Sequence, residues 1–78
     1  MRLLFCAHLR EVTGCAETHL PLGEVDSEEL WRQLLAVQPG LTPLRGSIRL
    51  ARNCEFAGPD TRFNDADEVA LIPPVSGG

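Results

Sequence analysis

One segment near the middle of the chain, residues 26–38, carries the sequence signal that most restricts the fold. Asp26 is a residue type that caps helix N-termini, Glu29 three positions later completes the capping pattern, and Val25 before the cap can staple against Leu30. Apolar side chains then recur at helical spacing until Pro39-Gly40, which ends the helix. The apolar stripe consists of Leu30, Trp31, Leu34, Leu35 and Val37. The segment therefore predicts one amphipathic helix whose stripe, with its tryptophan, packs into a core.

The segments on both sides of this helix are short, apolar or alternating, and bounded by turn residues, which predicts strands. The faces of the first strand, residues 1–8, are Leu3, Phe5 and Ala7 on one side and Leu4, Cys6 and His8 on the other. Both faces are largely apolar, so we expect this strand at the centre of the sheet, with the helix on one side and a partner on the other. Further strands are predicted at 17–22, 48–53, 54–57 and 68–72, a turn or short helix at 9–15, a connector at 41–46, and turns at 58–60 and 64–67.

The order of these elements predicts an α+β fold. A single helix after a strand pair, followed by more strands, is best accommodated across one face of a mixed sheet whose first and last strands lie side by side at the centre. This is the β-grasp, or ubiquitin-like, arrangement. A chain of 78 residues makes one domain with a small core. We divide it into a folded body, residues 1–72, and an extended carboxyl-terminal tail, residues 73–78.

Composition excludes several classes of function. The net charge of −4 argues against a nucleic-acid binder, because there is no excess of cations to neutralise phosphates, and it suits a protein that meets other proteins. No apolar run approaches the roughly 20 residues of a membrane span, and the start of the chain lacks a signal-peptide pattern. We therefore expect a cytoplasmic protein with neither nucleic-acid nor membrane partners.

The three cysteines, Cys6, Cys15 and Cys54, are widely spaced and form no C-x-x-C pair. Neither histidine completes a metal-binding spacing with them, so no metal site is predicted. Reduced, mostly structural thiols are the first interpretation, and a persulfide-accepting cysteine is the alternative.

The last six residues, Pro73-Pro74-Val75-Ser76-Gly77-Gly78, follow the final strand directly. The prolines fix φ near extended values and so favour a stalk that leaves the body, whereas Gly77 and Gly78 could enter a channel too narrow for any side chain. The terminal carboxylate is then the candidate reactive group. A frayed, inert tail is the other interpretation of the same residues.

Residues 67–78, Asp-Glu-Val-Ala-Leu-Ile-Pro-Pro-Val-Ser-Gly-Gly, resemble the end of the sulfur-carrier (small) subunit of molybdopterin synthase. Residues 4–14 are similar to the opening strand and turn of that family, and residues 52–56 to its middle strand. Length and element order agree along essentially the whole chain. Two positions depart from the family pattern, since Cys6 replaces a larger apolar residue and Cys54 replaces a Gln or Glu.

The resemblance implies a sulfur carrier rather than an enzyme. In this family an ATP-dependent adenylating enzyme, similar to ubiquitin-activating enzymes, activates the terminal glycine, here Gly78, and a sulfur donor converts it to a thiocarboxylate. That group supplies sulfur to cyclic pyranopterin monophosphate inside the large catalytic subunit, in a heterotetramer of two small and two large subunits. ATP is used by the adenylating enzyme, and no cofactor is bound permanently by the carrier.

The resemblance and the strand alternation together predict the residues that meet the large subunit. The predicted interface comprises Leu4, Cys6, Phe56, Ala70 and Ile72, and the residues expected to thread into the partner ahead of Gly78 are Pro73, Pro74, Val75, Ser76 and Gly77. Three alternatives remain: a sulfur carrier for thiamine biosynthesis or tRNA thiolation, a ubiquitin-like protein modifier, and an interaction domain with an inert tail.

Overall fold

A five-stranded mixed sheet with one main helix across it forms the body of the protein. The computed structural model describes residues 1–74; Val75, Ser76, Gly77 and Gly78, and the predictions made for them, lie outside the described residues. The strands are β1 (Arg2–Phe5), β2 (Glu17–His19), β3 (Val25–Asp26), β4 (Arg49–Arg52), β5 (Glu55–Phe56), β6 (Arg62–Phe63) and β7 (Glu68–Ile72). The helices are α1 (Leu9–Thr13), α2 (Ser27–Val37) and a 3-10 segment (Pro39–Ser47).

The last strand lies at the centre of the main sheet, whose order is β2-β1-β7-β4-β5. β7 is parallel to β1 and antiparallel to β4, while β2 and β5 pair antiparallel at the two edges. This confirms that the first and last strands are neighbours and that the sheet is mixed. The chain consequently leaves the sheet from its middle strand.

Helix α2 begins where the capping pattern predicts. The Asp26 backbone is extended, and its carboxylate accepts a hydrogen bond from the Glu29 backbone N–H at 2.9 Å. The Glu29 side chain accepts from Arg32 and Gln33 and so supports the first turns of the helix. Gln38 caps the other end, directly before the 3-10 segment.

The hydrophobic core lies between α2 and one face of the sheet. Leu30 and Leu34 of the helix are fully buried in one cluster with Leu3, Val69 and Leu71 of the central strands. Trp31 is only 5% exposed, which confirms its interpretation as a core residue. Burial of these side chains is the main term that stabilises so small a domain.

Several boundaries differ from the sequence predictions. β1 ends at Phe5 because Ala7 adopts a left-handed φ of 52°, so Ala7 is exposed and does not join Leu3 and Phe5 in the core. Residues 41–46 are part of the 3-10 segment, which buries Leu41, rather than a plain connector. The two-residue strands β3 and β6, which pair with each other, were not predicted. Their short lengths carry no periodic signal in the sequence.

A two-residue turn joins β4 to β5 and fixes the position of Phe56. Asn53 and Cys54 both have positive φ, at 51° and 74°, the pattern of a type I′ hairpin turn. The side chain of Asn53 also donates to Asp67 and accepts from the Glu68 N–H, each at 3.0 Å. The hairpin is thereby tied to the start of β7.

Candidate docking face and carboxyl-terminal tail

The sheet face turned away from α2 carries the residues predicted to meet a partner. We call it the outer face and define it as Leu4, Cys6, Arg49, Ala51, Phe56, Ala70 and Ile72. Strand register places four of these side chains in one row across the sheet, because Leu4 is opposite Ala70, Ala70 opposite Ala51, and Ala51 opposite Phe56. Cys6 extends β1 by one further hydrogen bond, from its N–H to the Leu71 carbonyl. The five predicted interface residues therefore lie on one surface.

Two alanines, Ala70 and Ala51, lie in the middle of the row across the outer face. Ala51 is only 6% exposed although it lies outside the core cluster. Leu4, Cys6, Ala70 and Ile72 are half-buried. Phe56, on the edge strand β5, is 58% exposed and is the most exposed large apolar side chain of residues 1–74. An exposed aromatic ring next to half-buried apolar side chains forms a surface suited to protein contact.

Arg49 adds a positive charge to this apolar surface. Its guanidinium carbon lies 4.1 Å from the centroid of the Phe56 ring, within cation–π distance. Register places Arg49 opposite Ile72, the last residue of β7. Neither Arg49 nor Ala51 was among the predicted site residues, although the alternation of β4 already puts them on the same face as each other and opposite to Leu50.

The other end of the same sheet face is polar, and its charged side chains pair with one another. Arg2 forms ion pairs of 2.9 Å with Glu17 and with Glu68, its neighbours on the flanking strands. The hydrogen bond that Arg2 donates to Glu17, followed by the charges of the two carboxylates, raises the pKa of Arg2. These three side chains sum to a charge of −1, so this end of the sheet offers no unpaired cation to a partner.

The tail follows Ile72, which lies opposite Arg49 on the neighbouring strand. Pro73 is buried and Pro74 is exposed. Because β7 is held on both sides by neighbouring strands, it fixes the point and direction from which the chain continues. The roles predicted for Pro73 and Pro74 in threading, and the boundary of the body at residue 72, stay predictions.

The other surfaces of residues 1–74 offer little that would make a reactive site. A groove of about 580 Å³ is lined by residues of α2, its N-cap Asp26 and Arg45 of the 3-10 segment. Two arginines of its lining are paired with glutamates of the same lining, Arg32 with Glu29 and Arg45 with Glu28. Within residues 1–74 no cluster of side chains is arranged to hold a metal ion, and no helix is long and apolar enough to cross a membrane.

The central last strand, the main helix α2 across one sheet face and the partly exposed opposite face define a protein of the β-grasp class. The chain belongs to the ThiS family, whose model matches residues 3–78. It is 37% identical to the molybdopterin synthase sulfur carrier subunit of Chlamydomonas reinhardtii, over 100% of this chain and 98% of that protein. The similarity that the tail first indicated therefore extends over the full sequence.

Solved structures show the same fold. Small archaeal modifier protein 1 (SAMP1) from Haloferax volcanii superposes with a TM-score of 0.82 at 29% identity, covering 99% of this chain and 97% of that one. A chain of the complex of subunits 1 and 2 of molybdopterin-converting factor from Helicobacter pylori has a TM-score of 0.68 at 26% identity, covering 99% and 96%. The β-grasp prediction is thereby confirmed.

Proposed function

We propose that this chain is the sulfur carrier subunit of a molybdopterin synthase and carries its sulfur as a thiocarboxylate on Gly78. The observation that supports this most strongly is the end-to-end similarity to a sulfur carrier subunit of that synthase. The open apolar face next to the point where the tail leaves the sheet supports it independently, because a carrier must dock before it can deliver its terminus.

The proposed chemistry begins with an unreactive group. A carboxylate with a pKa near 3.5 is ionised at neutral pH and is a poor electrophile, so it must be activated before sulfur can replace oxygen. Attack of the Gly78 carboxylate on the α-phosphate of ATP releases pyrophosphate and gives an acyl-adenylate. Hydrosulfide, or a donor of sulfur at the same oxidation level, then attacks the carbonyl carbon of Gly78, and AMP leaves, which gives the thiocarboxylate. The catalytic groups belong to the adenylating enzyme and the large subunit.

The body of the protein positions this terminus. Docking of the outer face on the large subunit would fix β7 and hence the start of the tail, and the remaining residues would then extend into the active site of the partner. A complex of the two corresponding subunits is what the Helicobacter pylori structure contains. We propose a heterotetramer with two copies of each subunit, acting in the cytoplasm on cyclic pyranopterin monophosphate.

Addition of one alanine after Gly78 tests the mechanism. The extended chain should keep its melting temperature, because the addition lies beyond the core cluster found between Met1 and Leu71. It should nevertheless abolish molybdopterin formation in an assay with the adenylating enzyme, ATP, a sulfur donor, the large subunit and the pterin precursor. The unextended chain with a chemically prepared thiocarboxylate is the control, and it should form product without ATP. Product formation by the extended chain would contradict the mechanism.

A ubiquitin-like modifier is the second candidate, favoured by the similarity to SAMP1. In that function the activated Gly78 would form an amide with lysines of other proteins. Covalent adducts in lysate that survive reducing agent and hydroxylamine would support it. Co-purification with a large synthase subunit, rather than with a thiazole synthase, distinguishes the proposed carrier from one that serves thiamine biosynthesis.

A further inference from the structure

We propose that the partner which docks on the outer face places an aspartate or glutamate carboxylate against Arg49, and that this ion pair sets the position of the tail. The inference rests on the proposed function, in which the outer face is the docking surface for the large subunit. It goes further by assigning the chemistry of one contact and the residue of this chain that makes it.

Arg49 differs from the other arginines in its contacts. Among the residues that the structure describes, it is the one arginine whose guanidinium has neither a carboxylate nor a carbonyl partner. Carboxylates pair with Arg2, Arg32, Arg45 and Arg62, and backbone carbonyls accept from Arg10 and Arg52. The Phe56 ring attracts the charge of Arg49 but offers no carboxylate or carbonyl acceptor for its N–H donors.

Docking on the outer face would remove water from this guanidinium. Arg49 lies over the most exposed aromatic ring of the described residues, so a partner that covers Phe56 also covers Arg49. A charge that loses its hydration without gaining a partner opposes binding strongly. A carboxylate satisfies the guanidinium best, because it can accept two parallel hydrogen bonds from it.

Arg49 lies close to the start of the tail, so an ion pair between Arg49 and the partner would also affect the position of the tail. Arg49 is opposite Ile72, one residue before the prolines that begin the tail. At the other end of the sheet face, Arg2 is paired with both Glu17 and Glu68, and the resulting charge of −1 repels a further acidic group. An acidic group on the partner is therefore directed to the end of the face where the tail leaves, and the pair aligns the tail with its channel.

The test measures binding of the full chain to the large subunit from the same organism, by calorimetry at low and at physiological salt. We compare the unmodified chain with R49Q and R49K, and use R32Q as the matched control, because Arg32 is an exposed arginine of α2 on the other side of the sheet. R49Q should bind about 30-fold or more weakly and depend less on salt, R49K should be intermediate, and R32Q should match the unmodified chain. Melting temperatures check that all variants fold.

Charge reversal identifies the partner group. Binding lost in R49E should be recovered, at least tenfold, by changing one acidic residue of the large subunit to lysine. If the unmodified chain binds but R49Q binds equally well, or if no acidic residue of the large subunit couples to Arg49, the inference is wrong and the proposed function stands. If the unmodified chain does not bind the large subunit, the proposed function is itself contradicted.

Discussion

Asn53 and Asp67 connect two turns at the start of the central strand. One carboxylate oxygen of Asp67 accepts from the Asn64 N–H at 2.8 Å and the other accepts from the Asn53 side chain at 3.0 Å. The backbone hydrogen bond from Asn64 has the largest effect and holds the pKa of Asp67 below its usual value; desolvation opposes it, and the Asn53 side-chain bond lowers the pKa further by a smaller amount. A few side-chain contacts therefore fix where β7 begins, and β7 in turn fixes the tail.

The lowered pKa of Asp67 predicts a specific pH dependence of stability. A depressed carboxyl pKa stabilises the fold at pH values above the unfolded value, about 3.8, and this stabilisation is lost as pH falls through the lower folded value. D67N should therefore lower the melting temperature at neutral pH and flatten its decline below about pH 4. D60N, which makes the same change of charge in an exposed turn, is the control, and an identical acid profile for D67N and the unmodified chain would contradict this role.

The elements differ in how far the sequence alone could predict them. Helix α2 was predicted with its cap and most of its core stripe because Asp26, Glu29 and the apolar spacing are local signals. The prediction was wrong for Val37, the last residue of α2, which is 53% exposed. β7 was predicted at its observed bounds for the same reason, since its turn and alternation are contiguous. β3 and β6 exist only through their pairing with each other, and the left-handed Ala7 depends on its surroundings, so no short window of sequence could show them.

Helix α2 contributes buried side chains to the core but also carries exposed ones. Truncating a buried and an exposed residue of this helix should therefore have unequal effects on stability. Leu34 is fully buried, and L34A should lower the free energy of unfolding by about 2 to 5 kcal/mol, because it leaves a cavity. Val37 is 53% exposed, and V37A should change it by less than about 0.5 kcal/mol. Chemical denaturation measures both values, and equal losses would contradict the packing described for α2.

At the scale of the whole molecule, the fold places the proposed docking surface on the same sheet as β7, the strand that continues into the tail. The alternation of single strands was enough to predict that Leu4, Cys6, Ala70 and Ile72 share a face. The contact between Arg49 and Phe56 could not be predicted that way, because it depends on the β4–β5 hairpin turn that brings the two side chains together. The chemistry assigned to Gly78 came from the resemblance of the tail, and the full-length family match supports it.

The central claim is that sulfur travels on the terminal carboxylate of this chain. The most direct test is the intact mass of the protein after incubation with ATP, its cognate adenylating enzyme and a sulfur donor, followed by fragmentation to locate any change. We predict replacement of one oxygen by sulfur, localised to Gly78 and dependent on ATP. A chain that stays unmodified under these conditions, or that gains sulfur on Cys6, Cys15 or Cys54 instead, would contradict the account.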